Sequence, residues 1–174
     1  LGILARRGKI MKIVQEMDED HSTASTSIAI HSLRGGVGSS SLALNLALAF
    51  QQIWGKDTLL VDGVFAAGQI AMMLNVNPRS NWESLIGISE DELDDEMIAE
   101  LVSQKEESIN YIAAPRNPIA TDTFTPEFWK KTLAKIKGHS DFLVFDTAHD
   151  FSDGTISILA EVETILLIVT PDMA

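Results

Sequence analysis

Residues 27–41 read Ser27-Ile28-Ala29-Ile30-His31-Ser32-Leu33-Arg34-Gly35-Gly36-Val37-Gly38-Ser39-Ser40-Ser41, an apolar run, a glycine-rich turn and the start of an amphipathic segment. The run SIAIH has the composition of a buried strand, and SLALNLALAF, from Ser41, spaces its apolar residues as a helix does. Between them, Gly35, Gly36 and Gly38 have no Cβ to hold the backbone away from an anion, and Ser39, Ser40 and Ser41 can cap the helix. A strand-to-helix turn of this kind gathers backbone N–H groups at a helix N-terminus, where a phosphate fits.

Outward from this turn the same alternation recurs. Strands are expected near 27–31, 57–62, 109–113, 141–146 and 163–169, with helices near 40–53, 67–74, 91–104, 126–137 and 152–160. Short apolar runs alternating with amphipathic segments imply βαβ units, hence an α/β, doubly wound, mainly parallel sheet with helices on both faces. Residues 1–25, mixed in charge and ending in HSTASTS, read as a short helix or strand remnant plus linker, and residues 26–174 as the domain. A doubly wound domain usually continues past an apolar strand such as 163–169, which leaves open that the chain is truncated at its C-terminus.

Composition narrows the function. Thirteen Lys and Arg against 25 Asp and Glu give a net charge of −12, which disfavours direct DNA binding, because phosphate neutralisation needs clustered cations. The sequence contains no Cys, so disulfide, thiolate and zinc-thiolate chemistry are excluded. No apolar run reaches the roughly 18 to 20 residues that span a bilayer, and no signal peptide is recognisable. The expected location is cytoplasmic, with polar or peripheral inner-membrane association left open.

The phosphate-binding pattern G-x-x-x-x-G-K-[ST] is broken twice. Leu33 stands at the first glycine, and Ser39 at the lysine that reaches the β- and γ-phosphates. An ordinary glycine turn would explain the loop by itself. A second signal argues against that: Phe142-Leu143-Val144-Phe145-Asp146 is a buried strand ending in a carboxylate, the arrangement that holds Mg²⁺ in phosphate-loop proteins.

Together RGGVGSSSLALNLALAF, LLVDGVFAAGQIAMML, YIAAPRNP, FLVFDTAHDF and LLIVTPDMA resemble, in order and spacing, the MinD/ParA family of deviant Walker A ATPases, P-loop NTPases of the SIMIBI type. Within it the likeness is to the TadZ/CpaE branch, which positions Tad (Flp) type IV pilus machinery and has an altered phosphate loop and an AAP segment like Ala113-Ala114-Pro115. The resemblance places the family's trans-acting lysine on Arg34, its phosphate-loop lysine on Ser39 and its Mg²⁺-binding hydroxyl on Ser40. Asp62 matches the first acid of the family's D-x-D segment, but Val64 stands at the second, beside which the attacking water lies. Asp146 and Thr147 match the second carboxylate strand, with Ala148 replacing a common proline.

The resemblance thus implies an ATP and Mg²⁺ site built from Arg34, Gly35, Gly36, Val37, Gly38, Ser39, Ser40, Ser41, Asp62 and Asp146, with Ser40 and Asp146 on the metal. It also implies a homodimer through the nucleotide face and pilus or secretion assembly proteins as partners. Loss of one electrostatic donor typically costs about 10²- to 10³-fold in rate, so hydrolysis is expected to be weak or absent and no catalytic residue is assigned. Two alternatives stand beside an ATP-bound scaffold: an active positioning ATPase in which Arg34 replaces the lysine, and a platform that binds no nucleotide.

Other candidates read blandly. His21, His31, His139 and His149 show no metal-ligand spacing, and His149, just after Asp146, reads as a surface histidine. Trp54, Trp82 and Trp129 read as packing residues. The acidic run 90–96 reads as a solvated helix start favoured by the helix dipole.

Overall fold

The structure, a computed structural model, describes residues 25–105, 108–117 and 123–171; of the segment and linker expected over 1–25, residues 1–24, His21 among them, lie outside these. Six strands form one sheet: β1 (Thr26–Ser32), β2 (Thr58–Gly63), β3 (Ser103–Lys105), β4 (Ile109–Ile112), β5 (Phe142–Thr147) and β6 (Thr164–Ile168), in the order β3-β4-β2-β5-β1-β6. Every pairing is parallel except β3 with β4. The helices are α1 (Ser39–Trp54), α2 (Ile70–Met73), α3 (Asp95–Leu101), α4 (Pro126–Ile136) and α5 (Asp153–Glu161).

Alternation along the central strands divides the core between the two faces of the sheet. Ile30, Leu60 and Val144 meet Ala43, Leu44, Ala47 and Phe50 of α1 on one face. Ala29, Leu59, Val61, Leu143 and Phe145 face the other way, against Ile98 of α3, Phe128, Trp129, Leu133 and Ile136 of α4, and Ile158 of α5. Helices therefore cover both faces, as expected for a doubly wound sheet. On the second face Phe65, Trp82 and Trp129 cluster, with Trp82 and Trp129 ring centroids 5.1 Å apart. Trp54, at the end of α1, stacks on Phe50 but stays 42% exposed. β6 lies at the sheet edge, and its Ile165, Leu166 and Leu167 are exposed.

Two expected helices are corrected. Over 91–104 the helix runs only from Asp95 to Leu101, because the Asp94 side chain accepts from Met97 N and caps it there, and Ser103–Lys105 leave it to pair antiparallel with β4. The acidic run does start a helix: Asp95 and Glu96 occupy its first turn. Over 67–74 the helix shrinks to the single turn Ile70–Met73, because Asp62 draws the preceding chain into a loop.

That loop depends on a missing side chain at Gly68. A Cβ there would stand 2.1 Å from Cβ of Ala114 and 2.6 Å from Oδ2 of Asp62, so backbone must shift to admit it. Gly68→Ala should lower stability by about 1–3 kcal/mol, measured from the urea midpoint. Gly138→Ala, where a Cβ meets nothing within 4 Å, should stay within about 0.5 kcal/mol of the parent; equal effects would show that the crowding at Gly68 is relieved without cost.

Candidate functional site

The phosphate loop lies between the end of β1 and the start of α1. Gly36 (φ +79°) and Gly38 (φ +94°) both occupy the left-handed region that side chains disfavour. Gly38 is the N-cap of α1, with its carbonyl accepting from Leu42 N at 2.9 Å, and no side chain caps the helix. This corrects the expected serine cap: Ser39, Ser40 and Ser41 are the first three helical residues. A first-turn N–H has no intrahelical acceptor, so the amides of these serines point out of the helix end, where an anion is favoured. Arg34, Gly35 and Ser41 are exposed, while Val37, Ser39 and Ser40 are half-buried.

Ser39 does not take over the role of a lysine. Its Oγ lies 2.8 Å from Oγ of buried Ser32, which in turn donates to the Arg34 carbonyl at 3.1 Å. With the Ser32 proton used there, the Ser39 hydroxyl donates to Ser32, and the side chain at the lysine position is tied back to β1. Ser32 was not singled out by the sequence; it carries no motif, and only the turn of the loop brings it to Ser39.

Strand pairing brings the two acids together. Asp62 of β2 and Asp146 of β5 are register partners, and Ile30 flanks Asp146 on the other side. Asp62, 1% exposed, spends its carboxylate on its own loop: Oδ1 accepts from Val64 N and Oδ2 from Ile70 N, each at 3.1 Å. Trp82 Nε1 donates to its carbonyl at 2.9 Å. Asp146 is fully buried and neither oxygen has a hydrogen-bond partner. The Ser40 hydroxyl faces it closely enough to favour the charged form, but not in hydrogen-bonding geometry. Burial pushes Asp146 up to about 6, and burial plus the neighbouring Asp146 charge pushes Asp62 up to about 7.

Beyond Asp146, Thr147 Oγ1 donates to the Ile30 carbonyl at 2.9 Å and lies 3.0 Å from Nδ1 of buried His31, whose pKa burial lowers. Val64, at the second acid of the expected D-x-D segment, is half-buried and contributes only its N–H to Asp62. The structure thus brings Ser39, Ser40 and Asp146 to one end of the sheet, with Asp62 beside them as a loop-holding acid.

A hard cation fits this donor set. Mg²⁺ is typically held by one or two carboxylates, with phosphates and water supplying the remaining oxygens, and Asp146 beside Ser40 presents a carboxylate whose burial is otherwise uncompensated.

A mainly parallel sheet with a glycine loop at the carboxyl end of one strand and an acid at the end of its neighbour is the arrangement of phosphate-loop folds. Residues 25–174 match the family model described as cellulose biosynthesis protein BcsQ, and the chain belongs to that family. Among solved structures, it is similar to a ParA family ATPase from Chlorobium tepidum TLS, with TM-score 0.73 and 23% identity over 86% of this chain and 62% of that one. It is also similar to the septum site-determining protein MinD complexed with Mg-ADP from Pyrococcus horikoshii OT3, with TM-score 0.71 and 18% identity over 85% of this chain and 59% of that one. A third is cobyrinic acid a,c-diamide synthase from Mycobacterium smegmatis with bound ADP and magnesium, with TM-score 0.67 and 17% identity over 82% and 59%. No curated protein matches the chain. The fold is thus that of ParA/MinD P-loop ATPases, and the chain spans about three fifths of the length of these structures.

Both acids have folded-state values above those of an unfolded chain, so the folded state binds more protons between about pH 4 and 7. Their contribution to stability is full below pH 4 and is lost as pH rises through 6 to 7. In buffer free of divalent ions, Asp146→Asn should therefore raise stability at pH 8 by about 1 kcal/mol or more and flatten this decline. Urea titrations at pH 5 and pH 8 check this; a parallel loss of stability at both values would overturn it.

Proposed function

We propose that the chain is the nucleotide-binding domain, residues 26–174 behind a leading segment 1–25, of a ParA/MinD-like protein. On this reading it binds Mg-ATP between two copies, hydrolyses it slowly or not at all, and positions or scaffolds a cell-envelope export apparatus. The observation that carries the reading is the phosphate loop, with its first-turn amides open, beside the unpartnered carboxylate of Asp146.

In this mechanism the amides of residues 35–41 bind the phosphates, with Gly36 and Gly38 allowing the backbone to approach. Ser40 and Asp146 would hold Mg²⁺, which would supply charge neutralisation to the bound phosphates. Asp62 holds the loop that follows β2. Arg34, exposed on the loop, is the residue assigned to reach a phosphate of the second copy, for which its planar fork is suited. With Val64 in place of an acid and Ser39 in place of the lysine, neither the attacking water nor the transferring phosphoryl group is provided for, so the bound state persists.

Family membership favours cellulose synthesis and secretion as the process served, at the cytoplasmic face of the membrane. Tad (Flp) pilus assembly is the second reading, favoured by the altered loop and by Ala113-Ala114-Pro115 after β4. Loss of cellulose with intact pili in a deletion strain supports the first; the reverse supports the second. The net charge of −12 speaks against DNA as the track.

Calorimetric titration with Mg-ATP, together with light scattering for size, should give saturable binding and dimerisation with negligible phosphate release. No binding at millimolar ATP would leave only an interaction platform, and turnover usual for an ATPase would favour the active-ATPase alternative, in which Arg34→Ala must abolish activity. Ser39→Lys should raise phosphate release at least about tenfold, part of the roughly 10²–10³-fold that one such donor is worth; an unchanged rate would show that the lysine position does not limit hydrolysis.

A further inference from the structure

The imidazole of His149 lies against the phosphate loop. A Cβ built on Gly35 would stand 3.6 Å from both Cε1 and Nε2 of the ring and 4.0 Å from Nδ1. The ring thus occupies the space that a side chain at position 35 would meet, and His149 is exposed, not packed into the core.

The segment that carries His149 is anchored on both sides. Asp146, three residues before it, is fixed within β5. Asp150, directly after it, accepts from Ser152 N at 3.1 Å and from the hydroxyls of Ser152 and Thr155 at 2.8 Å each. Meanwhile the lysine position is occupied by Ser39, whose hydroxyl is tied to Ser32. The loop offers backbone amides and the strand offers a carboxylate, and the imidazole of His149 stands beside Gly35.

We propose that His149 is a phosphate-contacting residue of this nucleotide site, its ring N–H donating to a β- or γ-phosphate oxygen in place of the lysine lost at Ser39. The inference rests on the nucleotide-binding reading above. A neutral imidazole already carries one N–H, so no change of protonation is required. The contact is formed only when nucleotide is present, so His149 adds to affinity without serving the fold.

A double-substitution cycle tests this by calorimetry with Mg-ATP on the parent chain and on His149→Ala, His149→Lys, Ser39→Lys and the Ser39→Lys/His149→Ala pair. His149→Ala should weaken binding about tenfold or more, as loss of a hydrogen bond to a charged group does, while leaving the nucleotide-free melting temperature unchanged. His149→Lys should restore most of the affinity, and with Lys at position 39 the His149→Ala change should matter far less. Unchanged affinity in His149→Ala, or the same loss with and without Lys at position 39, would overturn the proposal while leaving the nucleotide-binding reading intact. Failure of the parent chain to bind Mg-ATP would overturn both.

Discussion

A carboxylate buried with both oxygens unpartnered carries an effective penalty of several kcal/mol, and the sheet holds Asp146 in that state. Strand β5 lies between β1 and β2, so Asp146 is flanked by Ile30 on one side and Asp62 on the other, with the first turn of α1 near its end. The parallel pairing that builds the core also delivers the phosphate loop and this acid to the same end of the sheet. Neither could be moved without breaking the register that buries Val144, Leu60 and Ile30 against α1.

Asp62 faces the same burial and meets it differently. Its two oxygens take the N–H groups of Val64 and Ile70, so the charge is spread over backbone dipoles and the loop after β2 closes around it. Gly68 is required at that closure because Ala114 and the Asp62 carboxylate fill the space a Cβ would take. Two adjacent acids on one sheet face therefore differ: one organises a loop, and the other has no hydrogen-bond partner on either oxygen. Burial raises the pKa of both acids, and at Asp62 the neighbouring Asp146 charge adds to the rise while the backbone N–H groups oppose it.

Much of this was legible in the sequence because it is local. The five longer strands, α1, α4 and α5 each show their period, and the glycine turn and Asp146 sit at predictable ends of those elements. What escaped has no local pattern. Strand β3 is the polar triplet Ser103-Gln104-Lys105, recognisable only through its pairing with β4. The helix before it is shorter than its sequence pattern because the Asp94 cap and that pairing fix its ends. The short α2 depends on Asp62 reaching forward eight residues to Ile70. At the site, the Ser32–Ser39 bond and the placing of the His149 ring beside Gly35 join residues whose identities signal nothing by themselves. A lone serine or a loop histidine reads as surface until the fold sets it against the phosphate loop.

On the proposed reading these features separate binding from turnover. The amides of the loop come with the backbone geometry of Gly36 and Gly38 and survive the loss of lysine, because they depend on φ and not on side-chain charge. Hydrolysis depends instead on charges and acids aimed at the reacting centre, and at positions 39 and 64 this chain has a serine and a valine. A ligand present at about 100 times its Kd adds about 2.7 kcal/mol to the stability of the form it binds. Nucleotide with Mg²⁺ would thus offset much of the cost of burying Asp146. On that proposal the site would act as a ligand-dependent clamp: ATP would stabilise the domain and a dimer of it, with release governed by dissociation or by a partner and not by a chemical step.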